Sequence, residues 1–81
     1  MRIRDYKFVP ETVTVKPGAT VTWINDEKRA SHSILFKEAG VAESERLFQG
    51  DRWERRFDRS GTYPYTCGPH PEMKGTVVVT P

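Results

Sequence analysis

Thr62-Tyr63-Pro64-Tyr65-Thr66-Cys67-Gly68-Pro69-His70-Pro71-Glu72-Met73-Lys74-Gly75-Thr76-Val77-Val78-Val79-Thr80 is the stretch on which the fold turns. It begins and ends as strand. Residues 62–67 put Tyr63, Tyr65 and Cys67 on one face, and residues 74–80 put Val77 and Val79 on one face. That is the period-2 alternation of a half-buried strand. Between the two runs, Pro69 and Pro71 exclude a regular helix, because proline lacks the amide and clashes with the preceding turn. The connection must be a constrained loop, ending at Gly75. Pro64 is the misfit, since proline donates no ladder hydrogen bond. A bulge is expected there, or a nitrogen turned away from any neighbour.

The same grammar repeats upstream. Residues 2–8 alternate, with Tyr6 and Phe8 on one face. Thr12–Val15 is a strand stopped by Pro17-Gly18, a turn pair. Thr20–Ile24 sets Val21 and Trp23 on one face and ends at Asn25-Asp26. Ser31–Phe36 aligns His32, Ile34 and Phe36. Residues 37–46 read as a loop with room for one helical turn. Gly50-Asp51 makes a turn, Arg52–Phe57 alternates, and Ser60-Gly61 turns again. Helix signals are weak throughout. About seven or eight short strands at regular spacing predict an all-β fold, a two-sheet sandwich or barrel, in a single domain over residues 1–81.

A chain of 81 residues buries a modest share of its surface and is marginal without a staple. Its single cysteine, Cys67, excludes an internal disulfide and leaves a metal in that role. Charged residues make up 30% of the chain, yet the net charge is only +2. The one basic run, Arg52, Arg55, Arg56 and Arg59, is interleaved with Trp53, Glu54, Phe57 and Asp58. It reads as the solvated face of a strand, with no nucleic acid as partner, because nucleic-acid surfaces are strongly basic. No apolar run approaches the roughly 20 residues that cross a bilayer, and no signal-peptide pattern is present. Met1 leads straight into strand-like sequence, as in a cytosolic protein, a mature form or an excised domain.

The chemistry is concentrated. Of one cysteine, two histidines and two methionines, four residues fall in two places: His32 alone, and Cys67-x-x-His70-x-x-Met73. Taken singly, each has a plain reading: a structural histidine, a small buried hydrophobe, core filler, an exposed loop imidazole. Together, a thiolate, two imidazoles and a weak axial thioether are the ligand set of a blue-copper site. The proline-braced loop can aim three side chains at one point, and His32 closes the site from a distant strand. A structural zinc site would accept the cysteine and histidines, but methionine is a poor zinc ligand. A cysteine nucleophile with a histidine base leaves Met73 and the second histidine idle, and a domain this small offers no evident substrate cleft. A multicopper oxidase domain wants further paired histidines, and a binuclear copper centre a second loop cysteine; neither is present. Storage or delivery of copper by the same ligands is the alternative function, and a metal-free adhesion-type sandwich the plainest one.

The chain resembles the cupredoxin family, in particular its amicyanin, plastocyanin and pseudoazurin branch, over nearly its whole length. Phe8-Val9-Pro10, Val13, Val15, Lys16-Pro17-Gly18 and Val21-Thr22-Trp23-Ile24-Asn25 resemble the amino-terminal half of that family. His32-Ser33-Ile34 resembles the strand bearing its first histidine ligand, and Gly50, Phe57, Gly61, Tyr63, Tyr65 and Cys67 the run before its ligand loop. Cys67 to Gly75 is similar to the short amicyanin-type loop. The resemblance implies a Greek-key β-sandwich holding one copper ion, with His32, Cys67 and His70 in the trigonal plane and Met73 axial. It implies electron transfer and not enzymatic turnover, a tyrosine-corner role for Tyr63, and a monomer. It also implies a redox partner protein, such as a cytochrome, reductase or dehydrogenase, docking near His70 in an apolar patch made partly by Pro69 and Pro71. Location is expected to be periplasmic or otherwise extracytoplasmic, with any signal or anchor outside this chain. Two departures stand out. Ser33 replaces the asparagine that in many relatives ties the two ligand-bearing segments, so a shorter and weaker side-chain bridge is expected, with an altered potential. Residues 37–46 are short, so partner-specific surface is expected to be missing.

Overall fold

The structure is a computed structural model describing residues 1–38 and 40–81. Among these residues eight strands form: β1 (Arg2–Arg4), β2 (Lys7–Val9), β3 (Thr12–Val15), β4 (Ala19–Asn25), β5 (Leu35–Phe36), β6 (Arg52–Phe57), β7 (Gly61–Thr66) and β8 (Lys74–Val79). They build two four-stranded sheets, ordered β2-β1-β4-β6 and β3-β8-β7-β5. Both are mixed: β1 runs parallel to β4, and β3 parallel to β8. Among the described residues no helix forms, so residues 37–38 and 40–46 carry no helical turn; Ala39, within that expected loop, lies outside them.

Period-2 burial drives the assembly. In β4, Val21, Trp23 and Asn25 are buried while the residues between them are partly exposed. In β8, Gly75, Val77 and Val79 are buried. The inward faces meet in one apolar cluster that joins Trp23 and Phe57 from one sheet to Phe36, Tyr65 and Val77 from the other. Burying a Phe-sized side chain contributes about 1.5–3 kcal/mol. Edge-on ring contacts add to this: Trp23 lies 5.5 Å from Tyr65 at 88°, and its Nε1–H donates to Tyr65 Oη at 3.1 Å.

Three local expectations are revised. Residues 2–8 are not one strand but a hairpin, broken at Asp5 and Tyr6, whose φ values of 52° and 56° are those of a type I′ turn. Only Leu35 and Phe36 of the 31–36 run pair as strand; His32 makes an isolated bridge to Leu47 instead. Gly75 is not the end of a loop but the second residue of β8, opposite Tyr65. Pro64 needs no bulge, because the β7–β8 register runs unbroken from Gly61↔Val79 to Thr66↔Lys74. The Pro64 carbonyl accepts from Lys37 N–H at 3.2 Å, which puts its nitrogen on the same side, just past the end of β5. The tyrosine corner forms: Tyr63 Oη–H donates to the Arg59 carbonyl at 2.5 Å.

Candidate metal centre

Cys67 sits one residue beyond β7, and Met73 one before β8. The loop between them is closed by its own backbone. Cys67 N–H donates to Met73 O at 3.1 Å, and Met73 N–H to His70 O at 2.9 Å. With Pro69 and Pro71 restricting φ, few conformations remain. His32 is fixed from the other side by reciprocal bonds with Leu47, His32 N to Leu47 O at 3.1 Å and Leu47 N to His32 O at 2.8 Å.

These constraints bring three side chains together. Cys67 Sγ lies 3.6 Å from His32 Nδ1 and 3.6 Å from His70 Nδ1. The donor atoms of the trio all lie within 4.8 Å of one another. A first-row metal with bonds of roughly 2.3 Å to sulfur and 2.0 Å to nitrogen, at angles of about 110–120°, holds such atoms about 3.5–3.7 Å apart. Both sulfur-to-nitrogen distances fit a single ion. Met73, the fourth residue singled out in the sequence, is buried at the loop's end.

The surroundings orient each group. His32 is fully buried, and its Nε2–H donates to Glu27 Oε1 at 3.0 Å. That bond fixes the tautomer and leaves the Nδ1 lone pair facing the sulfur, as a metal ligand requires. Burial lowers the His32 pKa below its ordinary 6.5, outweighing the Glu27 hydrogen bond and charge, which pull it up; His70 pushes it further down. Burial also pushes the Cys67 thiol up, against the N–H groups of Ser33 and His70 and the charge of Arg46. Without a cation the thiol is held neutral, so binding one releases a proton. Ser33 N–H points at Cys67 Sγ, 3.5 Å away. The Tyr6 ring packs edge-on to both imidazoles, 5.6 Å from His32 and 5.0 Å from His70.

The profile of the copper binding proteins of the plastocyanin/azurin family matches residues 1–80. The chain belongs to this family. It is 36% identical to the amicyanin of Paracoccus versutus over 95% of this chain and 61% of that protein, so it spans less than two thirds of that relative's length. It is 40% identical to amicyanin-alpha of Methylorubrum extorquens, over 98% of this chain and 69% of the relative. Identity to the plastocyanin of Scenedesmus fuscus is 40%, over 89% and 85%. A solved structure of a reduced amicyanin variant is similar at a TM-score of 0.91 and 36% identity, covering 98% of this chain and 78% of that one. Copper is the plastocyanin/azurin family's ion, and His32, Cys67 and His70 lie close enough together to offer it ligands.

Several residues that shape the centre escaped sequence reasoning. Glu27 Oε1 also accepts Tyr6 N–H at 2.6 Å, so one carboxylate holds both the hairpin turn and His32. Asn25 looked like a strand end. It is buried, donates to Leu47 O at 2.7 Å and Ala30 O at 3.2 Å, and accepts from Glu27 N–H at 2.8 Å. The Val-Thr-Trp-Ile-Asn alternation places position 25 on the Trp23 face, which was the available signal. Glu43 had none.

Proposed function

We propose that this chain carries single electrons at one type 1 copper, which His32, Cys67, His70 and Met73 would hold. The observation that carries this is the 3.6 Å sulfur-to-Nδ1 pairing on both sides of a buried thiol, with the His32 tautomer already set. When bound, copper supplies a one-electron couple between Cu(II) and Cu(I). The protein's part is to keep the donor atoms still between the two states. Pro69 and Pro71, the Cys67–Met73 backbone bond, the His32–Leu47 bridge and Glu27 all serve that end. A rigid, pre-formed site suits electron transfer better than storage or delivery, which need labile binding.

His70 is only partly buried, and beside it lie the half-exposed Tyr6 ring and the exposed Pro71. This face is the proposed port for a redox partner protein of the cytochrome, reductase or dehydrogenase kind. Among the described residues no helix is long and apolar enough to cross a membrane. Following the amicyanin and plastocyanin relatives, the proposed location is extracytoplasmic and the proposed unit a monomer of one domain.

The test is to add Cu(II) to metal-free protein and record the visible spectrum beside a Cys67→Ser variant. An intense thiolate-to-copper band, absent from the variant and bleached reversibly by one electron, is the expected result. No band in the wild type overturns the assignment.

A further inference from the structure

Ser33 is fully buried, and its hydroxyl stands at a crossing of three chain segments. Its Oγ accepts Gly68 N–H at 3.0 Å and donates to the Glu43 carboxylate. Its own N–H points at Cys67 Sγ. Glu43 is held in reach by its neighbour: Ser44 N–H donates to Ile34 O at 3.0 Å, and Ile34 N–H to Ser44 Oγ at 2.8 Å. The carboxylate fits because position 68 is glycine. A Cβ there would lie 2.7 Å from Ser33 Oγ and would overlap the Glu43 carboxylate oxygen. The bridge is not simply a shortened one. It keeps the tie to the loop backbone and extends it to a third segment.

We infer that Ser33 and Glu43 act as a positioning pair, which ties the ligand loop to the His32 segment and sets a negative charge beside the Cys67 sulfur. The inference rests on the copper site proposed above. A carboxylate near the sulfur stabilises the more positive Cu(II) form, so its charge lowers the reduction potential, while the hydrogen-bonded tie it anchors slows copper release. Arg46 is the opposing charge felt at the thiol. Gly68 is the third member of the set, since it admits the carboxylate.

Two measurements on the full chain test this. In metal-free protein, amide exchange at Gly68 reads the tie directly; Ser33→Ala should expose that N–H, while Ser33→Thr keeps an acceptor. In copper-loaded protein, Glu43→Ala and Gly68→Ala should raise the potential and speed loss of copper to a chelator by about tenfold, the scale for partners that orient metal ligands. Glu43→Gln should raise the potential but release copper near the wild-type rate, because its amide oxygen still accepts the Ser33 hydroxyl. Unchanged Gly68 exchange in Ser33→Ala overturns the tie. A wild-type potential and release rate in Glu43→Ala overturn the tuning. A wild-type protein without the copper band brings down the proposed function and the tuning together, while Gly68 exchange still decides the tie.

Discussion

Gly75 faces Tyr65 across the β7–β8 ladder, and the end of the ring crowds against it. A Cβ at position 75 would come 2.7 Å from Tyr65 Cε2 and closer still to the end of the ring. Gly75→Ala should therefore destabilise the metal-free protein by about 1–3 kcal/mol, the usual cost of overpacking, read from its urea midpoint. The buried Tyr65 hydroxyl gives a second prediction. Burial pushes its pKa from 10.0 up to about 12, and the hydrogen bond from Trp23 pulls the other way. The folded pKa exceeds the unfolded one, so the stabilisation is complete below pH 10 and is lost as pH rises toward 12. The loss is on the order of 3 kcal/mol, at about 1.4 kcal/mol for each pH unit between the two values. Tyr65→Phe should flatten the decline in stability between pH 10 and 12, while lowering stability at neutral pH because the Trp23 N–H loses its acceptor. An equally steep alkaline decline in the variant would refute the assignment.

At the scale of the element, β6 shows what periodicity conveys and what it hides. Trp53, Arg55 and Phe57 share its inward side. Arg55, read from sequence as part of a solvated face, lies with its guanidinium carbon 4.5 Å from the Phe36 ring centre, 4.6 Å from Phe57 and 5.4 Å from Tyr63. Glu38 caps it at 2.9 Å. The run of arginines masked the alternation, because a long cationic side chain can cover apolar rings as an aliphatic one does. Cation–π contacts of this kind contribute about 0.5–2 kcal/mol each site. Arg55→Met should cost about 1–2 kcal/mol, whereas Arg56→Met, which breaks only the exposed pair with Asp58, should change stability by less than about 0.5 kcal/mol. Equal urea midpoints for the two variants would contradict this. The strands with clean β-branched or aromatic alternation, β3, β4, β7 and β8, were legible in the same way. The β1–β2 hairpin was not, since Asp-Tyr is an unusual pair for positive φ and its support, Glu27, lies far along the chain. His32, Cys67, His70 and Met73 were legible because their residue types are rare and their spacing is short. Glu27 and Glu43 were not, because nothing local distinguishes a carboxylate that reaches across a fold from one that faces water.

On the scale of the whole molecule, two small sheets meet without a disulfide, and the proposed ion joins segments remote in sequence. Removing copper should lower the melting temperature, and adding it back at about 100 times its dissociation constant should restore about 2.7 kcal/mol. A melting curve indifferent to chelator would deny the metal a structural role. The parallel pairing of β3 with β8 sets Thr12 against Thr76 and Val15 against Val79, joining stretches near opposite ends of the sequence. Contacts so non-local make folding slow, because chain closure precedes the gain from pairing. His32 and Cys67, 35 residues apart, meet only once that framework stands. An ion that binds after the barrier has been crossed leaves the rate of folding alone and slows the rate of escape. Copper would then govern how long each folded molecule lasts, and not how quickly it is made.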